Sequence, residues 1–175
     1  HHVWQHPADK VCAISRGVTV ARQYFAADAP RTPITNVQLG DVITARLTFT
    51  VNQDMDYFVL EDPLPAGMEA VDTSLRTTSI AADAPDLSKT PDGANSYYDY
   101  WGWWYIDHIE LRDQQVNLYA QHLPRGTYVF SYQLRASVPG IFHVMPARGY
   151  PSHQPGIFGR TDGSLFTVSA PLDTF

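Results

Sequence analysis

An all-β chain folded as an antiparallel sandwich is what this sequence predicts, on three observations. Apolar and polar side chains alternate with period two in segment after segment, as a strand with one buried face requires. Thirteen prolines and eleven glycines punctuate those segments at short intervals. No stretch reads as a long amphipathic helix; the best local match, a turn or two near "AVDTSLRTTS" (70–79), is rich in Thr and Ser, which are weak helix formers.

The elements follow in chain order. "VTVARQYF" (18–25) is a first strand candidate. "VITARLTFTV" (42–51) is the clearest: Ile43, Ala45, Leu47, Phe49 and Val51 share one side, and Thr44, Arg46, Thr48 and Thr50 the other. "DYFVLED" (56–62) ends at two prolines that stop ladder donation, and Gly67 offers a reversal into "MEAVD" (68–72). "HIELRD" (108–113) and "QVNLYAQHL" (115–123) flank a tight connection, Asp113-Gln114, that lacks the usual glycine. "TYVFSYQLRA" (127–136) turns Tyr128, Phe130, Tyr132 and Leu134 inward. "GIFHVMPA" (140–147) and "SLFTVSA" (164–170) complete eight or nine short strands, the pattern of two packed antiparallel sheets. Gly140 after Pro139 suits a turn, and Gly159 a backbone conformation closed to other residues.

Between the strands lies a long loop, 81–96, rich in Ala, Asp, Pro, Gly and Ser. It leads into "YYDYWGWWY" (97–105), seven aromatic side chains in nine positions. As a strand this run would be aromatic on both faces, and one sheet cannot bury both. At least some of its rings must cover an edge, close an end of the sandwich or meet another molecule, while Trp101, Trp103 and Trp104, as large aromatics, can also be mostly packed.

Composition bounds the function. At 175 residues one core is expected, residues 17–175, behind an N-terminal extension or linker, 1–16, whose leading histidines could be the remnant of an affinity tag. Twelve Lys and Arg against eighteen Asp and Glu, net −6, leave no basic footprint for nucleic acid. No apolar run approaches the roughly 20 residues of a membrane span. Cys12 in "KVCAIS" has nothing nearby to lower its pKa and reads as a small hydrophobe.

Signs of catalysis are thin. There is no Gly-x-Ser-x-Gly elbow, no His-Glu-x-x-His and no phosphate loop, so no metal, cofactor or nucleophile is assigned and the chain reads as a non-enzyme. Asp99, Asp107, Glu110 and Asp113 flank the aromatic run, as glycosidase carboxylates would, but solvated strand-edge acids are the commoner cause of such spacing. Stacking of sugars on exposed Trp and Tyr rings, as in a carbohydrate-binding module, is the alternative; packing or protein docking ranks ahead of it.

Three stretches, 33–75, 107–150 and 154–168, carry an ordered set of motifs. Gly-Asp precedes a strand, Glu-Asp-Pro-Leu-Pro-Ala-Gly follows one, Leu-Pro-Arg-Gly-Thr-Tyr leads into another, and Phe-Gly-Arg precedes the last. Together, from about Val18 to Val168, they resemble the C-terminal, tenth macroglobulin-like domain of bacterial alpha-2-macroglobulins. The resemblance implies a macroglobulin or immunoglobulin-like β-sandwich with an aromatic-rich loop insertion, and an extracytoplasmic parent protein that traps proteases. It also implies docking on sister domains near a thioester held elsewhere in the parent. Many members place a Met-Tyr pair over that thioester, where this chain has Ser152 and His153; Tyr150, nearby, could substitute. Either the loop shields differently or the parent has no thioester. Tyr150, Ser152, His153, Phe158 and Arg160, with Trp101, Trp103 and Trp104, are the expected docking or shielding residues.

Overall fold

A computed structural model describes residues 11–71 and 105–170. Fourteen strands and no α-helix are found among them: β1 (Ile14–Arg16), β2 (Val18–Ala26), β3 (Ala29–Pro33), β4 (Asn36–Gln38), β5 (Val42–Val51), β6 (Met55–Pro63), β7 (Met68–Ala70), β8 (His108–Leu111), β9 (Gln115–Leu123), β10 (Gly126–Ala136), β11 (Gly140–Val144), β12 (Arg148–Pro151), β13 (Phe158–Arg160) and β14 (Ser164–Ser169). A six-stranded sheet runs β1-β13-β12-β6-β9-β8, a five-stranded sheet β3-β2-β5-β10-β7, and a three-stranded sheet β11-β14-β4. Strand pairs are antiparallel except β4 with β14.

The alternation of β5 does what its sequence requires. Ile43, Ala45, Leu47, Phe49 and Val51 are each 1% exposed or less, and β5 is flanked by β2 and β10 along its length. Phe130, Tyr132 and Leu134 join them from β10. Phe58, Leu60, Val116, Leu118 and Ala120 meet them from the six-stranded sheet. Phe49 and Phe58 stack across the interface with centroids 5.6 Å apart. Each of the larger aliphatic and Phe side chains among them stabilises the fold by about 1.5–3 kcal/mol relative to leaving it in water.

Two sheets were expected and three are present. The third packs into the same core, with Phe166 set edge-on to Tyr24 at 5.0 Å. Five strands, β1, β3, β4, β12 and β13, carry no readable period. Each has five residues or fewer, too few to show a period, and all but β4 also contain charged, Gly or Pro residues. The turn between β8 and β9 is the tight connection expected, closed by Arg112 N donating to Gln115 O at 2.9 Å.

Two glycines serve a purpose other than the one their sequence suggests. Neither Gly67 nor Gly159 has positive φ; what they lack is room. A Cβ on Gly67 would sit 2.1 Å from the Phe142 ring, and one on Gly159 would sit 2.1 Å from the Val18 carbonyl oxygen. Gly159 therefore lets β13 of one sheet lie against the backbone of β2 in the other. Gly17, at φ 81°, makes the corresponding turn in sequence, carrying the chain from β1 in the six-stranded sheet directly into β2.

The helical turn near 70–79 beyond Val71, the loop 81–96 and the aromatic run through Trp104 lie outside the described residues. Tyr105, the last ring of the run, is half-buried against the core.

Candidate functional site

The outer face of the six-stranded sheet is where the chemistry collects. On β6, Phe58, Leu60 and Asp62 point into the core, so the alternation turns Val59 and Glu61 outward. The same rule turns out His108 and Glu110 on β8, Asn117 and Tyr119 on β9, Arg148 and Tyr150 on β12, and Phe158 and Arg160 on β13.

Strand register then lines these residues up. One row is polar: Arg160 pairs with Arg148, Arg148 with Glu61, Glu61 with Asn117, and Asn117 with Glu110. The next row is aromatic: Phe158, opposite Arg16, is followed in register by Tyr150, then Val59, Tyr119 and His108. Cross-strand neighbours of this kind sit close enough to interact.

Side chains in the two rows bond in local clusters. Arg148 Nε donates to Glu61 Oε2, and the Tyr150 hydroxyl donates to Glu61 Oε1 at 3.1 Å. Partial burial and then the Glu61 charge push the Tyr150 phenol up from its ordinary pKa. Arg112 bonds Glu110 at 2.9 Å, and Asn117 and Tyr119 add weaker bonds to the same carboxylate. The Arg112 hydrogen bond is the main cause holding Glu110 below the usual carboxylate range. At the ends of the aromatic row the Arg16 guanidinium lies 5.5 Å over the Phe158 ring, and His108 stacks on Tyr119 at 5.9 Å.

One edge of this face carries a knuckle built from β6 and the loop after β12. Tyr57 is 54% exposed and sits at φ 54°, the one non-glycine residue with positive φ among the described residues. Its carbonyl oxygen accepts from Ser152 N at 2.9 Å and from Ser152 Oγ at 3.0 Å. The His153 ring stands edge-on to the Tyr57 ring at 5.1 Å. Two short turns, Gln154 N to Pro151 O and Ile157 N to Gln154 O, carry the loop on to β13.

Five of the eight residues singled out in the sequence, Tyr150, Ser152, His153, Phe158 and Arg160, thus meet on one face and its rim. Trp101, Trp103 and Trp104 lie outside the described residues. Tyr57, Glu61, His108, Tyr119 and Arg148 were missed. The polar half of each alternation held the signal for Glu61, His108 and Tyr119; Arg148, on a strand with no readable period, and Tyr57 had none.

The carboxylates beside this face are tied into its hydrogen bonding: Asp107 accepts from Gln121 N at 2.5 Å, and Glu110 from Arg112, Asn117 and Tyr119. Among the described residues no three of His, Cys, Asp and Glu are placed to share a metal ion. Tyr119 and His108 turn ring faces toward each other, a poor platform for a flat sugar.

Against known families, residues 17–156 match the model of the bacterial alpha-2-macroglobulin MG10 domain. An alpha-2-macroglobulin homolog from Nostoc sp. is 34% identical over 137 residues, 78% of this chain and 6% of that protein. Alpha-2-macroglobulin from Thermotoga maritima is 29% identical over 134 residues, 77% of this chain and 8% of that one. The chain spans less than a tenth of the length of these curated relatives. Among solved structures, native Escherichia coli alpha-2-macroglobulin superposes with a TM-score of 0.72 at 18% identity, over 95% of this chain and 10% of that chain. The Y1175G mutant of Salmonella alpha-2-macroglobulin gives 0.70 at 18%, over 90% and 9%. At such identities these two likenesses speak to the fold.

Proposed function

The chain belongs to the bacterial alpha-2-macroglobulin MG10 domain family, and from that premise we propose that it is a non-catalytic domain that works by docking on sister domains of a longer parent protein. The observation that carries this reading is the outer face of the six-stranded sheet. It presents half-buried rings and paired charges in two registered rows, the mixture of aromatic residues, arginine and polar rim found at protein interfaces. The parent acts outside the cytoplasm on proteases, as the resemblance of the motifs implies. Where that parent holds a thioester, the rim of Tyr57, Ser152 and His153 covers it in place of the family's Met-Tyr pair, with Tyr150 behind.

Hydroxyl-radical footprinting tests docking directly. Oxidation of Tyr119, Tyr150 and Phe158 should be several-fold slower in the parent protein than in the 175-residue chain; equal rates in both would end the reading.

A further inference from the structure

Tyr57 is a residue the fold does not account for. Its left-handed backbone is not idle: it breaks the alternation of β6, so that Met55 and Phe58, three residues apart, are both buried while Asp56 and Tyr57 both face out. That geometry has a preferred occupant, and it is glycine, or failing that asparagine; a tyrosine there is held in a conformation L side chains rarely adopt. The backbone bonds to Ser152 involve the Tyr57 carbonyl, which any residue would supply. The ring itself touches His153, which is also exposed, so the contact removes little surface from water. What tyrosine adds over glycine is therefore an aromatic ring projected outward from a rigid strand at the rim of the docking face. A strained residue whose side chain serves nothing inside is a sign of function.

We propose that Tyr57 is an anchor of the docking interface, its phenol ring entering a pocket on a sister domain of the parent protein. The occupant follows from proportion: this chain is less than a tenth as long as its curated relatives, so most of the surface available to cover the rim belongs to the rest of such a parent. A rigid ring with a polar tip suits the purpose, since tyrosine brings large contact area at small entropic cost and keeps a hydroxyl for a bond in the pocket. The inference rests on the docking reading above and adds the residue on which the contact turns.

Tyr57→Gly separates this role from a structural one, because the two predict opposite signs. Glycine relieves the left-handed backbone, so the thermal midpoint of the 175-residue chain should stay level or rise by a few degrees. In the parent protein the same change should return Tyr150 and Phe158 to at least half of their free oxidation rate, and Tyr57→Phe should keep most of the protection. A midpoint lowered as much by Tyr57→Asn, which tolerates the left-handed backbone without glycine's extra unfolded-state freedom, overturns the proposal whatever the footprint shows, since the ring would then be serving the fold. An unchanged footprint overturns it whatever the midpoint shows. Unmodified parent protein is measured first: absent protection there defeats docking itself, whereas protection that survives Tyr57→Gly defeats only the anchor.

Discussion

Neighbouring residues on β6 build the same triad twice, once on each side of the sheet. Inside, Asp62 accepts from Arg22 Nη1 at 2.5 Å and from the Tyr132 hydroxyl at 2.6 Å, while Arg22 also donates to the carbonyls of Met145 and Pro63. Outside, Glu61 accepts from Arg148 and from Tyr150. Arginine, carboxylate and tyrosine are common to both; the medium is not. The Arg22 and Asp62 side chains are 3% and 1% exposed, the Arg148 and Glu61 side chains 62% and 16%. Burial pushes the Asp62 carboxyl upward, with Arg22 and Tyr132 opposing it. The inner triad ties β2, β6, β10 and the segment after β11 together, and removal of Arg22 or Asp62 leaves the other's charge buried and unpaired. The outer one remains open to solvent and to a partner.

That contrast orders the expected effects. Asp62→Ala leaves Arg22 buried and uncompensated and should cost about 3–5 kcal/mol, read as a shift of the urea midpoint. A loss below about 1 kcal/mol would mean that water reaches the inner triad and that the two sides are alike. Glu61→Gln, one residue away, should cost no more than about 1 kcal/mol, because Arg148 keeps its hydration. The same substitution removes a charge beside Tyr150, so the phenol should titrate closer to its ordinary value of about 10, followed by ultraviolet difference absorbance. No movement of that titration would detach Tyr150 from the Glu61 cluster.

A third carboxylate of β6 marks the exposed limit. Asp56 accepts from His122 Nδ1 at 2.7 Å, with the two side chains 70% and 57% exposed. Chiefly through that hydrogen bond, Asp56 raises the His122 pKa above its ordinary value of about 6.5. A base raised on folding contributes stability that is fully present below pH 6.5 and lost as the pH climbs through the raised value. The effect is the smallest of the three, best seen in the NMR titration of the ring. Asp56→Asn should bring it down toward 6.5, and an unmoved titration would assign the shift to another cause.

Legibility follows the same inside and outside division. The long strands could be read because burial of one face imposes a period of two on residues close together in sequence, as in Ile43 to Val51 and Phe130 to Leu134. The site residues come from five strands, and only their register brings Arg160, Arg148, Glu61, Asn117 and Glu110 into line. No local pattern encodes that alignment. The loop around Ser152 and His153 was reachable through the motif set rather than through periodicity. Gly67 and Gly159 show a subtler limit: sequence marks that a glycine matters, but a missing side chain can serve a left-handed turn or a close contact, and only the neighbours, Phe142 and Val18, decide which. Tyr57 is illegible for the opposite reason, since a residue unsuited to its backbone leaves no trace in propensity.

The way the chain enters the sandwich has a mechanical corollary. β1 is joined to β13 through three residue pairs, Ile14 with Arg160, Ser15 with Gly159 and Arg16 with Phe158. Tension on whatever precedes Ile14 is consequently felt by the strand bearing Phe158 and Arg160 before it reaches the hydrophobic interior. So short a ladder yields ahead of the ten-pair seam between β5 and β10, which makes the entering segment a ripcord for the face it borders.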